Sequence, residues 1–303
     1  MLPPMAHFVD KLLERIEQKQ APVCVGFDPV FSKLPQELRR RHGDELQTIL
    51  AFAERVFPIF AEHVPCLKIQ SACLERYGFA GVGVYEILTH RAQELGLLVI
   101  GDVKRGDIGA TAEHYAAATL LDPPGIEEAQ VAAPDAVTIN SYFGRDGIEP
   151  FAHVAAARGK GLFALVRTSN PGGDAVQSLE LSDGRTVAQA VAGLVAQVGA
   201  DAKYVGSRGY SLLGAVVGAT KPGDAAGLRK LMPQQMFLVP GFGAQGGSAE
   251  DVRACFKEDG SGALITASRS ITYAYSRPED PDWLGAIERA TVDFKRQVAS
   301  ITH

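Results

Sequence analysis

Residues 98–104 read LVIGDVK, a short β-branched apolar run that closes on an aspartate and a lysine. Side chains two apart on a strand point the same way, so Asp102 and Lys104 leave this segment on one face. An apolar strand that ends in charge is a natural edge for chemistry, provided the strand belongs to a larger repeating architecture.

Working outward, the same kind of run recurs at 23–28 (VCVGFD), 66–70 (CLKIQ), 136–140 (AVTIN), 161–169 (GLFALVRTS), 212–220 (LLGAVVGAT), 236–243 (MFLVPGFG) and 263–269 (ALITASR). Amphipathic helical patterns over about 7–19, 44–63, 81–95, 186–199 and 281–300 separate or flank the runs. Near-continuous apolar strands between helices argue for parallel strands buried on both faces. Eight such units point to an α/β fold of the (β/α)8 TIM-barrel type, with an open doubly wound sheet as the other arrangement the pattern allows. The expected organisation is a single domain over 1–303. The opening helix covers the barrel bottom, and loop insertions occupy 120–134 and 171–185, both rich in Pro, Gly and acidic residues.

Composition narrows the functional classes. Of the 303 residues, 46% are hydrophobic and 21% charged, which is enough to bury a sizeable core. The net charge is −5 and no Lys/Arg-rich run occurs, which argues against nucleic-acid binding. Asp10, Glu14 and Glu17 interrupt the N-terminal pattern, so a secretion signal is not expected. No segment approaches the roughly 18 apolar residues of a membrane span, so no membrane association is expected and a cytoplasmic location is. Cys24, Cys66, Cys73 and Cys255 form no CxxC pair and read as reduced, mostly buried thiols; the seven histidines lack metal-ligand spacing. No metal and no cofactor are expected.

Polar residues gather at the strand ends: Asp28 after the first run, Lys68 in the second, Asp102 and Lys104 in the third, Asn140 in the fourth, then Thr168, Ser169 and Asn170. Catalytic groups of a (β/α)8 barrel occupy that edge. Alternating Lys68, Asp102, Lys104 and Asp107 would hold the ammonium groups protonated, because nearby carboxylates raise a lysine pKa. A salt-bridged barrel interior without catalysis is the other reading. A Schiff-base lysine would need its pKa depressed, against the pull of these carboxylates. His114 and His153 read as surface or helix residues. A second cluster, VPGFGAQGG at 239–247, has the small residues that let backbone N–H groups approach an anion, and Arg269 follows the eighth run. Together they mark a phosphate site, the alternative being a Gly-rich loop with no ligand.

These motifs resemble orotidine 5′-phosphate decarboxylase, in its longer bacterial (type 2) branch. The resemblance runs from VGFDP through LKIQ, DVKRGDIGAT, TINSYFG, RTSNPGG and VPGFGAQGG to TASRS. Lys68 stands where related Mg²⁺-dependent sugar-phosphate decarboxylases and aldolases carry an acidic residue. Ser268 replaces a Gly of shorter members, and Asn170 a frequent His. The resemblance implies cofactor-independent conversion of orotidine 5′-monophosphate to UMP and CO2 in pyrimidine biosynthesis, with Lys104 protonating C6. It implies a homodimer with shared active sites. Lys68, Asp102 and Lys104 would act within one subunit, while Asp107 and Thr111 reach the partner's site. Asp28 and Thr111 would meet the ribose, Ser169 and Asn140 the pyrimidine with Pro240 lining its pocket, and Gln245, Gly246 and Arg269 the phosphate. The competing assignments are the Mg²⁺-dependent sugar-phosphate enzymes of the same superfamily and a barrel that binds a nucleotide without catalysis.

Overall fold

A computed structural model describes residues 7–122, 130–218, 222–242 and 249–302. Eight parallel strands run β1 Val23–Phe27, β2 Cys66–Gln70, β3 Leu98–Arg105, β4 Ala136–Ile139, β5 Gly161–Arg167, β6 Leu213–Val217, β7 Phe237–Val239 and β8 Ala263–Ala267. They pair in chain order and β8 returns to β1, so the sheet closes into a barrel and the open-sheet alternative falls. Every expected strand is present. The largest trimming is at 236–243, where only three residues pair before the chain turns away at Pro240.

Alternation along each strand sorts side chains into two apolar layers. Val23, Val25 and Phe27 of β1, Leu67 and Ile69 of β2, and Val99 and Val103 of β3 face the surrounding helices. Cys24, Cys66, Leu98, Ile100, Ala136, Phe163 and Leu264 fill the barrel interior. The helix Phe8–Lys19 joins the interior layer through Phe8, Val9 and Leu12 and stoppers the bottom, as its position ahead of β1 predicts. The Phe8 ring meets Phe163 edge-on at 6.2 Å between centroids. A Cβ on Gly161 would fall 2.1 Å from that ring, so only glycine admits the plug there.

The stronger helical patterns form near the expected bounds. Glu45–His63 is capped by Asp44, whose Oδ1 accepts from Gln47 N at 2.8 Å. Val187–Gly199 starts with a reciprocal Thr186–Gln189 capping box. Gly78–Glu94 and Trp283–Thr302 fill the other two windows. Helices that the periodicity does not announce include Gly109–Leu120, which buries Ala112, Ala116 and Leu120, and Arg145–Arg158, which contains Pro150. Insertion 171–185 holds the short turns Pro171–Gly173 and Asp174–Gln177 and an isolated bridge from Glu180 to Thr186. Of 120–134, residues 123–129 lie outside the described residues. Cys24, Cys66 and Cys255 are buried and Cys73 half-buried, all as free thiols. No described helix is long and apolar enough to cross a membrane.

Candidate active site

Followed from bottom to top, the inward stripe of each strand changes character. On β2 it runs Cys66, Lys68, Gln70; on β3 Leu98, Ile100, Asp102; on β4 Ala136, Thr138. The polar members meet at the C-terminal mouth, around one carboxylate. Asp102 Oδ2 accepts from Lys68 Nζ at 2.7 Å and from Gln70 Nε2 at 3.0 Å. Its Oδ1 accepts from Lys104 Nζ at 2.5 Å and from Thr138 Oγ1 at 2.9 Å. Lys68 Nζ also lies 3.7 Å from Asp28 Oδ1, a buried oxygen that accepts no hydrogen bond.

The electrostatics follow from this packing. Burial acts to lower the Lys68 pKa, but Asp102 and Asp28 outweigh it and leave the ammonium held well above its ordinary range. Burial acts to raise the Asp102 pKa, and Lys68 and Lys104 overcome it, keeping the carboxyl far below the usual carboxylate range. The arrangement is therefore two lysine side chains clamped on one carboxylate, with Lys68 held as its ammonium.

Lys104 reaches its place by an irregularity. The β3–β4 register runs Gly101 with Val137 and then Arg105 with Ile139, so β3 advances four residues while β4 advances two. Lys104 takes φ 47° within this bulge, and its N–H donates to Thr138 Oγ1 at 3.0 Å. The expected shared face of Asp102 and Lys104 thus arises through a bulge and not from plain strand alternation.

Above the network opens a cavity of about 410 Å³, ample for a nucleotide-sized ligand. Asp28, Lys68, Asp102, Lys104, Ser169, Pro240 and Arg269 line it. Among the described residues the Arg269 side chain has no hydrogen-bond or ion-pair partner. Asp107, Thr111 and Asn140 are not among the described residues of its wall. Asp107 accepts from Ile108 N at 2.8 Å, Thr111 is exposed on the next helix, and Asn140 Oδ1 accepts from Tyr142 N at 3.0 Å. His114 and His153 are exposed on helices. Gln245 and Gly246 lie outside the described residues. Gln70 and Thr138 escape the sequence reading, although each stands two residues from a candidate (Lys68 and Asn140) and so shares its inward parity.

A family model described as "Orotidine 5'-phosphate decarboxylase / HUMPS family" matches residues 22–280. The chain belongs to this family. An orotidine 5′-phosphate decarboxylase of Rhodopirellula baltica is 41% identical over 308 residues, covering 97% of this chain and 99% of that protein. One from Clostridium perfringens (strain SM101 / Type A) is 37% identical over 271 residues, covering 89% and 90% respectively. The solved Leishmania donovani OMP decarboxylase superposes with a TM-score of 0.74 at 28% identity, covering 98% of this chain and 99% of that one. The resemblance to these orotidine 5′-phosphate decarboxylases thus spans most or nearly all of the chain.

Proposed function

We propose that the chain decarboxylates orotidine 5′-monophosphate to UMP and CO2, with Lys104 as the proton donor. The observation that carries this reading is the Asp102 carboxylate bridging Lys68 and Lys104 at the floor of the cavity. Cleavage of the bond between C6 and the carboxylate leaves its electron pair on C6. A fixed ammonium stabilises that developing charge and then transfers a proton to the same carbon, leaving a neutral amine. Lys104 is 46% exposed, so its amine can regain a proton from solvent after product leaves. Asp102 orders the two cations, and its buried position keeps Lys104 directed at the floor. Pro240 and Ser169 would face the pyrimidine, Asp28 with its unsatisfied Oδ1 the ribose hydroxyls, and Arg269 the 5′-phosphate, with Gln245 and Gly246 beside it. Phosphate held far from C6 gives binding energy that can favour closure over the reacting end.

The same reading takes residues 1–303 as one domain working in the cytoplasm as a homodimer. Asp107 and Thr111 sit off their own cavity, and exposed Phe79, Ile108, Tyr142 and Phe143 follow the ends of β2, β3 and β4. Such an apolar rim fits a second copy, which would receive Asp107 and Thr111 in its site.

The deciding experiment follows loss of orotidine 5′-monophosphate absorbance with EDTA present, for wild type and Lys104→Ala. Turnover should persist in EDTA and fall at least about a thousandfold in the variant. A wild type inert toward this substrate would sink the assignment. Mg²⁺-dependent turnover of sugar phosphates would replace it, although Lys68 puts a cation where that chemistry wants a metal-binding carboxylate.

A further inference from the structure

The loop that leaves β5 walls the cavity through Thr168, Ser169 and Asn170, and the insertion 171–185 follows it directly. Beneath that loop lies Arg167, whose side chain is only 2% exposed. Its guanidinium donates from Nε to Asp224 Oδ2 at 2.9 Å and from Nη1 to Gln177 Oε1 at 3.1 Å. Nη2 donates to Asp174 Oδ1 at 2.5 Å and to Ser178 Oγ at 3.2 Å. Three of the four acceptors belong to the insertion, and the fourth to the helix Pro222–Leu231 that follows β6. A cation taken this far from water is tolerable only with charge-assisted partners around it, so the insertion is held in place by the barrel end it covers.

Gln177 carries that anchoring to the cavity wall. Its Oε1 also accepts from Thr168 N at 2.9 Å, and its Nε2 donates to Thr168 Oγ1 at 2.7 Å. Thr168 Oγ1 in turn donates to Asn170 Oδ1 at 2.6 Å. One amide therefore grips both main chain and side chain of the residue preceding Ser169. From the other side Gly218 presses on Ser169, since a Cβ there would fall 2.9 Å from its N and Cα. Residues of the wall that carry a ligand are precise only when their own supports are fixed.

We propose that the insertion is a clamp on the substrate wall and that Gln177 is its positioning residue, setting Thr168–Asn170 against the pyrimidine. The inference rests on the reading of Ser169 as pyrimidine-facing. It gives this insertion a part in selecting the base, reached through the buried Arg167 and not by contact with the nucleotide.

The test compares calorimetric binding of UMP and of ribose 5-phosphate, alongside KM and kcat, in Gln177→Met, Gln177→Glu and Ser169→Ala. Gln177→Met keeps the bulk and removes the polar grip. It should weaken UMP roughly tenfold, leave ribose 5-phosphate unchanged, and raise KM more than it lowers kcat. Gln177→Glu keeps an acceptor for Arg167 and Thr168 N, and should recover most of the loss. Unchanged UMP binding in Gln177→Met would overturn the clamp. So would an equal loss of both ligands, which marks general loosening. UMP loss in Gln177→Met with none in Ser169→Ala would uphold the clamp and remove the pyrimidine reading of Ser169. Should Gln177→Met fail to fold, Thr168→Val deletes the hydroxyl that Gln177 holds and carries the same expectations.

Discussion

Thr138 shows how one hydroxyl can govern a reacting group. Lys104 occupies the left-handed region, where a residue with a Cβ costs roughly 1–2 kcal/mol. Thr138 Oγ1 offsets this by accepting from Lys104 N while donating to Asp102 Oδ1, tying strained backbone and carboxylate together. Thr138→Val should therefore lower kcat roughly tenfold with KM little changed, and Thr138→Ser should restore it, as steady-state kinetics can check. An unaltered kcat in the valine variant would deny the hydroxyl any part. The charges around it make a second expectation, on stability. Asp102 has a depressed folded pKa, so its contribution is present above the unfolded value of about 3.9 and is lost as pH falls through the folded one. Lys68 has a raised one, so its contribution holds below about 10.4 and is lost as pH rises through the folded value. Asp102→Asn should cost about 3–5 kcal/mol in urea unfolding at pH 7, and the gap to wild type should close as pH drops below about 4. A gap that stays constant into acid would show that the ion pairs do not carry the difference.

At the level of elements, the legible helices are those with a broad apolar stripe or a cap, such as Glu45–His63 with Asp44 at its start. Gly109–Leu120 buries mainly alanines, strong helix formers that leave only a faint apolar stripe, while Arg145–Arg158 carries an internal proline against local preference. Packing on the barrel overrides it. The opening helix shows the reverse: its amphipathic pattern is plain, yet the tight fit of Phe8 over Gly161 exists only once β5 is in the barrel. Phe8→Ala should lose about 3–5 kcal/mol of stability by urea titration while kcat at 25 °C stays near wild type, because the plug lies at the end opposite the mouth. A large loss of kcat in a folded variant would tie the barrel bottom to the chemistry.

For the whole molecule, closure sets the site: only a complete ring brings Lys68 of β2, Pro240 after β7 and Arg269 after β8 around one cavity. The proposed homodimer adds a consequence that a monomer lacks. Lys104→Ala and Asp107→Ala, each inactive alone, should regain about a quarter of wild-type turnover when unfolded together and refolded. Half the dimers would be mixed, and each would hold one intact site. No recovery, with mixed dimers demonstrated by tagged subunits, would place Asp107 in its own subunit's site.

By itself the sequence determined the number of the strands and their succession along the chain, the family and the charged motif, because apolar runs and strand-end residues are local patterns written in consecutive positions. The four-donor environment of Asp102, the bulge that turns Lys104 back toward it, and the anchoring of Gln177 by Arg167 were decided only by tertiary structure. Each joins residues that no strand or helix spacing relates or bends a strand out of regular alternation, and neither leaves a periodic mark. Asn140 illustrates the difference: its place at the end of an apolar run made it a candidate, but β4 ends at Ile139 and its side chain caps the following turn, leaving Thr138 to face the carboxylate.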